Sequence, residues 1–189
     1  MKILDIGCGT TKFQGAIGVD CIELPGVDIV ANLNIFPWPF EDNSIDRIIF
    51  KHSISHFNDI VQIMEEVHRI CKPGAVVDIL APHYSSDNYL TDPTHKMSLG
   101  YRSMNYFCTN IPNWKYQYSK AKFKLVTSHI GFAEYDIDFN VLESRKRISI
   151  LKLFGFEYFV NKMPRLYEKF FAFIVPAHIV YYRIMALKK

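Results

Sequence analysis

Two groups of residues in this sequence have types and spacings that could do chemistry. The first is Asp5, Gly7, Gly9 and Thr11, in the run KILDIGCGTT from Lys2 to Thr11, with Asp20 closing the apolar run Ala16 to Asp20. A short buried strand that leaves the sheet through a glycine turn lets a ligand approach the backbone closely. An acid at the end of the following strand can accept hydrogen bonds from ribose hydroxyls. The second group is His83, Asp92 and His95, in a polar stretch rich in aromatic residues. An imidazole near its ordinary pKa can take a proton at neutral pH, and a carboxylate three residues away can orient it. The same Asp92-Pro93-Thr94-His95 run also suits a plain capped turn, with Asp92 bonding backbone amides.

The spacing of the first group separates two kinds of adenosine ligand. A dinucleotide fingerprint needs a helix N-terminus facing a pyrophosphate, with its acid about twenty residues beyond the turn. Here only Lys12 to Val19 separates the turn from Asp20, and Gly15 and Gly18 interrupt it, which is too short for a full helix and a strand. The pattern Asp5-x-Gly7-x-Gly9-x-Thr11 resembles motif I of the class I S-adenosylmethionine-dependent methyltransferases. Thr11 stands where that family has a third glycine, and the family's first helix is shortened to a loop. The resemblance implies S-adenosylmethionine as cofactor, with Asp5, Gly7, Gly9 and Thr11 at its methionine end and Asp20 on the ribose. It also implies Asn32 and Leu33 on the adenine, since a polar and an apolar residue stand there in the family; Asn32 as a turn cap is the plainer reading.

The rest of the chain follows the family's order of elements. Val27 to Ala31 reads as a third strand, and Phe36-Pro37-Trp38-Pro39-Phe40 as a rigid loop whose aromatic residues must bury. Ile45 to Phe50 is the fourth strand, apolar throughout as a strand buried on both faces should be. It leads to His52, placed on the methionine side of the ligand, and to Ser55-His56, where many relatives carry Glu-His. From Asn58 to Cys71 apolar residues recur at helical spacing, with Asn58 as cap and Lys72-Pro73-Gly74 as stop. Val76 to Leu80 is a fifth strand. The resemblance covers Lys2 to Ala81 and extends weakly to small methyltransferases that carry a similar Asp-Pro-Thr-His stretch.

The chain has 189 residues, 49% of them hydrophobic and 22% charged, with a formal net charge of +3. That is one globular domain with no basic stripe for nucleic acid. Cys8, Cys21, Cys71 and Cys108 form no close pair, which points to reduced thiols in a cytoplasmic protein and to no metal site. Lys122 to Thr127 and Glu134 to Phe139 read as an antiparallel pair around Gly131, and Ala177 to Leu187 as a last strand. Beyond Leu151 seven basic residues face two acidic ones. Pro164 opens a helix whose broad apolar face, including Phe170, Phe173 and Ile174, either covers the sheet or meets a lipid surface or a second copy.

The expected fold is therefore a single α/β domain: a three-layer, Rossmann-like methyltransferase sandwich over residues 1–189, with a mostly parallel sheet and antiparallel C-terminal strands. Residues 1–81 form its cofactor half and 82–189 its acceptor side. The expected function is methyl transfer to a small molecule or a glycan- or lipid-linked acceptor, with His83, Asp92 and His95 at the acceptor. The alternatives are another adenosine-cofactor enzyme and a non-catalytic binding module of the same fold.

Overall fold

The computed structural model describes residues 1–133 and 155–188. Seven strands form one sheet: β1 (Ile3–Ile6), β2 (Ile17–Asp20), β3 (Ile29–Val30), β4 (Ile45–Lys51), β5 (Cys71–Pro82), β6 (Phe123–Gly131) and β7 (Ile179–Ala186). Their spatial order is β3-β2-β1-β4-β5-β7-β6. The first five pair in parallel, with Leu4 beside both Ile17 and Ile48, and Ile48 beside Val77. β7 lies between β5 and β6 and runs antiparallel to both. It is therefore the one reversed strand, and β6 points the same way as β5.

The topology gives β6 a partner that the sequence reading did not expect. Gly131 is the last residue of β6 and sits opposite Ile179, so the partner of β6 comes from the end of the chain. Glu134 to Phe139 lies outside the described residues.

Alternation along the strands sorts side chains to two faces. Leu4, Ile6, Ile48, Phe50, Val77, Ile79 and Tyr182 face the main core, which α1 (Ile60–Ile70) covers with Ile63, Met64, Val67 and Ile70. The intervening residues Ile3, Ile49, Leu80 and Tyr181 form a second cluster on the other face. Asp78 is completely buried there. Its carboxylate accepts from Arg47 Nη2 at 2.6 Å, Arg183 Nε at 2.6 Å and the Tyr181 hydroxyl at 2.6 Å. A charge removed from water needs such partners, because removing one partner of a buried pair costs several kcal/mol.

α1 starts one residue later than its sequence suggests. Asp59, not Asn58, is the cap, accepting from the N–H groups of Val61 at 2.8 Å and Gln62 at 3.1 Å. Asn58 instead donates its N–H to Asn34 Oδ1 at 2.9 Å, tying the start of the helix to the loop after β3. Trp38 buries as required, and its indole N–H donates to the Leu33 carbonyl at 2.9 Å, fixing that residue in place.

Three further α-helices among the described residues are short: α2 (Asp87–Thr91), α3 (Phe156–Lys162) and α4 (Pro164–Phe170). The expected apolar face around α4 is only partly used. Tyr167 and Ala172 bury with Val160 and Ile130, whereas Phe170, Phe171, Phe173 and Ile174 stand exposed. Of the two expectations for this face, burial therefore holds for part of it, and the rest is left exposed.

Candidate active site

Where β1 ends, Gly7 and Gly9 take left-handed φ angles of 66° and 52°. Side chains adopt that region at a cost, and at Gly7 there is no room either: a Cβ there would lie 2.4 Å from the Ser53 Cβ. Ser53 follows β4 and donates its hydroxyl to the Ile6 carbonyl. The turn is bound to β2 as well, since the N–H groups of Gly7 and Cys8 both donate to the Val19 carbonyl, at 2.8 and 3.2 Å. Gly18 lies beneath the turn; a Cβ there would come within 2.6 Å of Lys12 Cδ and 2.8 Å of Cys8 Sγ. The short loop that replaces a helix is held by two carboxylates. Asp28 pairs with Lys12 Nζ at 2.8 Å and accepts the Gly18 N–H at 2.7 Å, contacts that hold its carboxyl below the usual range. Asp5 accepts the Phe13 N–H at 2.7 Å through Oδ2, and its buried Oδ1 has no partner among the described residues. Burial pushes the Asp5 carboxyl up, against the Phe13 N–H and the nearby charges of Lys51 and Lys12.

Beyond the C-terminal ends of these strands lies a cavity of about 320 Å³. Gly7, Asp20, Asn32, Leu33, His52 and Ser53 line it, with Cys21, Asn34, His56 and Phe57. Asp20 Oδ2 accepts the Gly9 N–H at 2.9 Å and Oδ1 the Ile22 N–H at 3.1 Å. Each oxygen keeps a second lone pair for a ligand hydroxyl. Asn32 caps its own turn, accepting the Asn34 N–H at 3.0 Å, and still lines the cavity, so the two sequence readings of Asn32 coexist. His52 has a left-handed φ of 58°, unusual for a residue with a side chain, and its N–H is held by the Leu80 carbonyl at 2.8 Å.

The segment after β5 returns to this cavity. Lys96 and Met97 donate their N–H groups to the Ser55 carbonyl at 2.8 and 3.2 Å, which docks the Asp92–His95 turn against His56. The His56 and His95 rings are 4.6 Å apart. Asp92 Oδ1 accepts from the Thr94 N–H and hydroxyl at 2.8 and 2.6 Å, and these bonds hold its carboxyl below the usual range. His95 is oriented by the Tyr89 carbonyl, 3.1 Å from Nδ1, while Asp92 Oδ2 stands 4.0 Å from Nε2. The sequence had given that orienting task to Asp92. His83 goes elsewhere. It is buried against Tyr84 and Tyr167, with Nδ1 2.8 Å from Ser85 Oγ and Nε2 3.5 Å from Glu168 Oε1.

Residues 4–79 match the family described as Methyltransferase domain. Across 97% of its length the chain also superposes on a S-adenosylmethionine-dependent methyltransferase of Archaeoglobus fulgidus, with a TM-score of 0.56 and 18% identity, covering 85% of that chain. The likeness is thus to a methyltransferase family over residues 4–79 and to the methyltransferase fold over nearly the whole chain. Curated relatives match over shorter stretches. An uncharacterized Escherichia coli protein, YafE, is 40% identical over 47 residues, 23% of each chain. A demethylmenaquinone methyltransferase of Bacillus mycoides is 27% identical, over 40% of this chain and 42% of its own. The chain thus spans well under half the length of the curated relatives it matches.

The fold neighbour is S-adenosylmethionine-dependent, and the cavity here has donors and acceptors suited to such a ligand. Asp20 keeps a lone pair on each oxygen, Asn32 and Leu33 line the cavity with it, and Gly7 leaves the backbone bare there. Asp5 and Gly9 act one step behind the cavity wall, Asp5 through the Phe13 N–H and Gly9 through Asp20. Thr11 is exposed and its N–H donates to the Cys8 carbonyl at 3.2 Å, so the structure does not bring it to the cavity. Sequence reasoning missed Gly18, Ser53, Asn34 and Phe57. Only Gly18 carried a signal, a glycine within a strand where another segment approaches closely.

Proposed function

We propose that this methyltransferase moves a methyl group from S-adenosylmethionine to a small-molecule, glycan-linked or lipid-linked acceptor. The observation that carries the reading is the convergence of Asp20, Asn32, Leu33 and the bare backbone at Gly7 on one cavity, with His56 and the docked Asp92–His95 turn at its mouth. When bound, the cofactor supplies an electrophilic methyl group; the chain's own residues bind, orient and accept a proton. Asp20 takes the ribose, and Asn32 with Leu33 the adenine. His52 closes the methionine end, and the unpaired Asp5 oxygen stands behind that wall as a fixed negative charge. His95, with Nδ1–H given to Tyr89, keeps a bare Nε2 to take the acceptor's proton, and Asp92 stabilises the imidazolium that forms. His83 supports that segment from its buried cluster. The enzyme works in the cytoplasm, where its four free cysteines stay reduced.

Isothermal titration with S-adenosylmethionine tests the reading. Asp20→Ala should weaken binding by about 1.5–3 kcal/mol through lost hydrogen bonds to a charged group. His95→Ala and Asp92→Asn should keep that affinity and lose turnover by about a hundredfold or more. Wild-type protein that binds no cofactor would leave only a binding module; activity with NAD instead would favour the other adenosine-cofactor reading.

A second surface supports a lipid-linked acceptor. Phe173 and Ile174 are 76% and 74% exposed beside Phe170, and Lys162, Arg165 and Lys169 flank them. Exposed apolar tips with exposed basic residues shortly before them in the chain suit a peripheral contact with an anionic membrane, while no described helix is long and apolar enough to cross one. Phe173→Ser with Ile174→Ser should abolish sedimentation with phosphatidylserine vesicles and leave the unfolding midpoint unchanged. Unchanged vesicle binding, or a dimer in light scattering that the double variant splits, would assign the surface otherwise.

A further inference from the structure

We propose that His56, Asp92 and His95 bind one divalent first-row transition-metal ion at the mouth of the donor cavity, where it would hold an oxygen of the acceptor. Ion binding itself needs only these three residues; the acceptor contact rests on the methyl-transfer reading above, and in the ion-bound state the ion, by acidifying the acceptor hydroxyl, would take over the task that His95 Nε2 has as a base in the ion-free state. One ligand atom from each residue lies within 4.8 Å of the others. Three atoms so spaced surround a point about 2.8 Å from each, and bonds of 2.0–2.2 Å would need each side chain to close by roughly 0.7 Å. That is a small side-chain adjustment, with no change of backbone.

The hydrogen bonds around the cluster leave bare lone pairs at its centre. His95 Nδ1 is 3.1 Å from the Tyr89 carbonyl and must carry the hydrogen, so Nε2 is free. Thr94 has one hydroxyl hydrogen. At 2.6 Å it goes to Asp92 Oδ1, so Thr94 Oγ1 must accept from His56 Nδ1 at 2.9 Å, and the other nitrogen of His56 is free in turn. Asp92 Oδ1 is taken by Thr94, and Oδ2 faces His95 Nε2 at 4.0 Å. Ligand histidines are held in this way, with the far nitrogen donating to a carbonyl or another oxygen. The His95 and Asp92 lone pairs, 4.0 Å apart, are left facing each other, and a cation between them would relieve that repulsion.

The frame is rigid as well. The His95 side chain is 6% exposed and its ring stacks on Tyr89 at 5.5 Å, while Lys96 and Met97 clamp the turn to Ser55. Two imidazoles and one carboxylate favour zinc, manganese, iron or cobalt over magnesium or calcium, which prefer all-oxygen sites. Three protein ligands also leave coordination positions for water or a substrate hydroxyl. His56 lines the donor cavity, so those positions lie beside the place where the methyl group would be delivered.

Cobalt(II) absorption and zinc(II) calorimetry on the full chain, without S-adenosylmethionine, test the site independently of methyl transfer. One equivalent should bind with d–d bands of a nitrogen-ligated ion, and magnesium should not compete. His95→Ala and Asp92→Asn should abolish that binding, with folding checked by circular dichroism. The conservative Thr94→Val should weaken it by about 10–100-fold, because it releases the groups that orient two ligands. His129→Ala, whose ring faces Glu157 at 3.0 Å, should change nothing. Wild-type protein that binds no cobalt or zinc, or a folded His95→Ala that binds as tightly, overturns the proposal and leaves a proton as the occupant of the cluster.

Discussion

Between Ile3 and Phe57 the site is built mainly by backbone. The Gly7 and Cys8 N–H groups share the Val19 carbonyl, Gly9 reaches Asp20, and His52 hangs from the Leu80 carbonyl. Between Pro82 and Gly100 side chains and distant partners decide. Tyr84 donates its hydroxyl to the Glu168 carbonyl at 3.0 Å, and Tyr101 donates its N–H to Glu168 Oε1 at 2.6 Å, so α4 fixes a segment more than sixty positions earlier. A backbone-made site needs particular residues only where the chain turns or approaches itself. A site made by side-chain docking has no such local grammar, which is why the first half carries a recognisable pattern and the second does not.

The comparison can be broken most severely by removing the distant partner. Deleting every residue after Asn161 removes β7 from between β5 and β6, and with it Ile179 and Tyr181 of the second cluster. Loss of cooperative thermal unfolding is expected. A truncated chain that unfolds cooperatively and binds S-adenosylmethionine would show that the donor half stands alone.

A smaller effect separates two glycines of the same turn. Gly7→Ala meets both a left-handed backbone and the Ser53 side chain, and should cost about 2–5 kcal/mol in urea unfolding as strain adds to overpacking. Gly9→Ala has a left-handed φ but nothing within 4 Å, so about 1–2 kcal/mol is expected. Equal costs would mean that close approach to Ser53 does not shape the turn.

The smallest expected effect concerns Asp5, whose folded pKa is raised by burial. Its charged form is disfavoured by folding, so its contribution is most favourable below the ordinary carboxylate pKa and is lost as pH rises through the folded value. Asp5→Asn keeps an oxygen for the Phe13 N–H and should raise the unfolding midpoint at pH 7, with the gain fading as pH falls towards about 4. It should also weaken cofactor binding. A variant that destabilises at every pH would show that the charge is needed by the turn itself.

Strand identity, the glycine turn and the acid at the end of β2 were legible because they depend on neighbours in sequence: alternation, apolar runs and the φ that only glycine takes freely. The helix α1 was equally plain, although its cap moved by one residue because Asn58 bonds to Asn34 instead. The antiparallel partner of β6 was not legible. Edge and central strands look alike when written out, and pairing depends on the whole sheet order, so the end of the chain and not the residues after Gly131 supplies β7. The site beyond β5 was half legible. His83, Asp92 and His95 look equivalent in sequence, but Ser85, Tyr167 and Glu168 draw His83 into a closed cluster, while the Ser55 carbonyl draws the Asp92–His95 turn to His56. Residue types therefore pointed to the glycine turn and the acid beside the cavity, and long-range packing alone decided which histidines come together next to it.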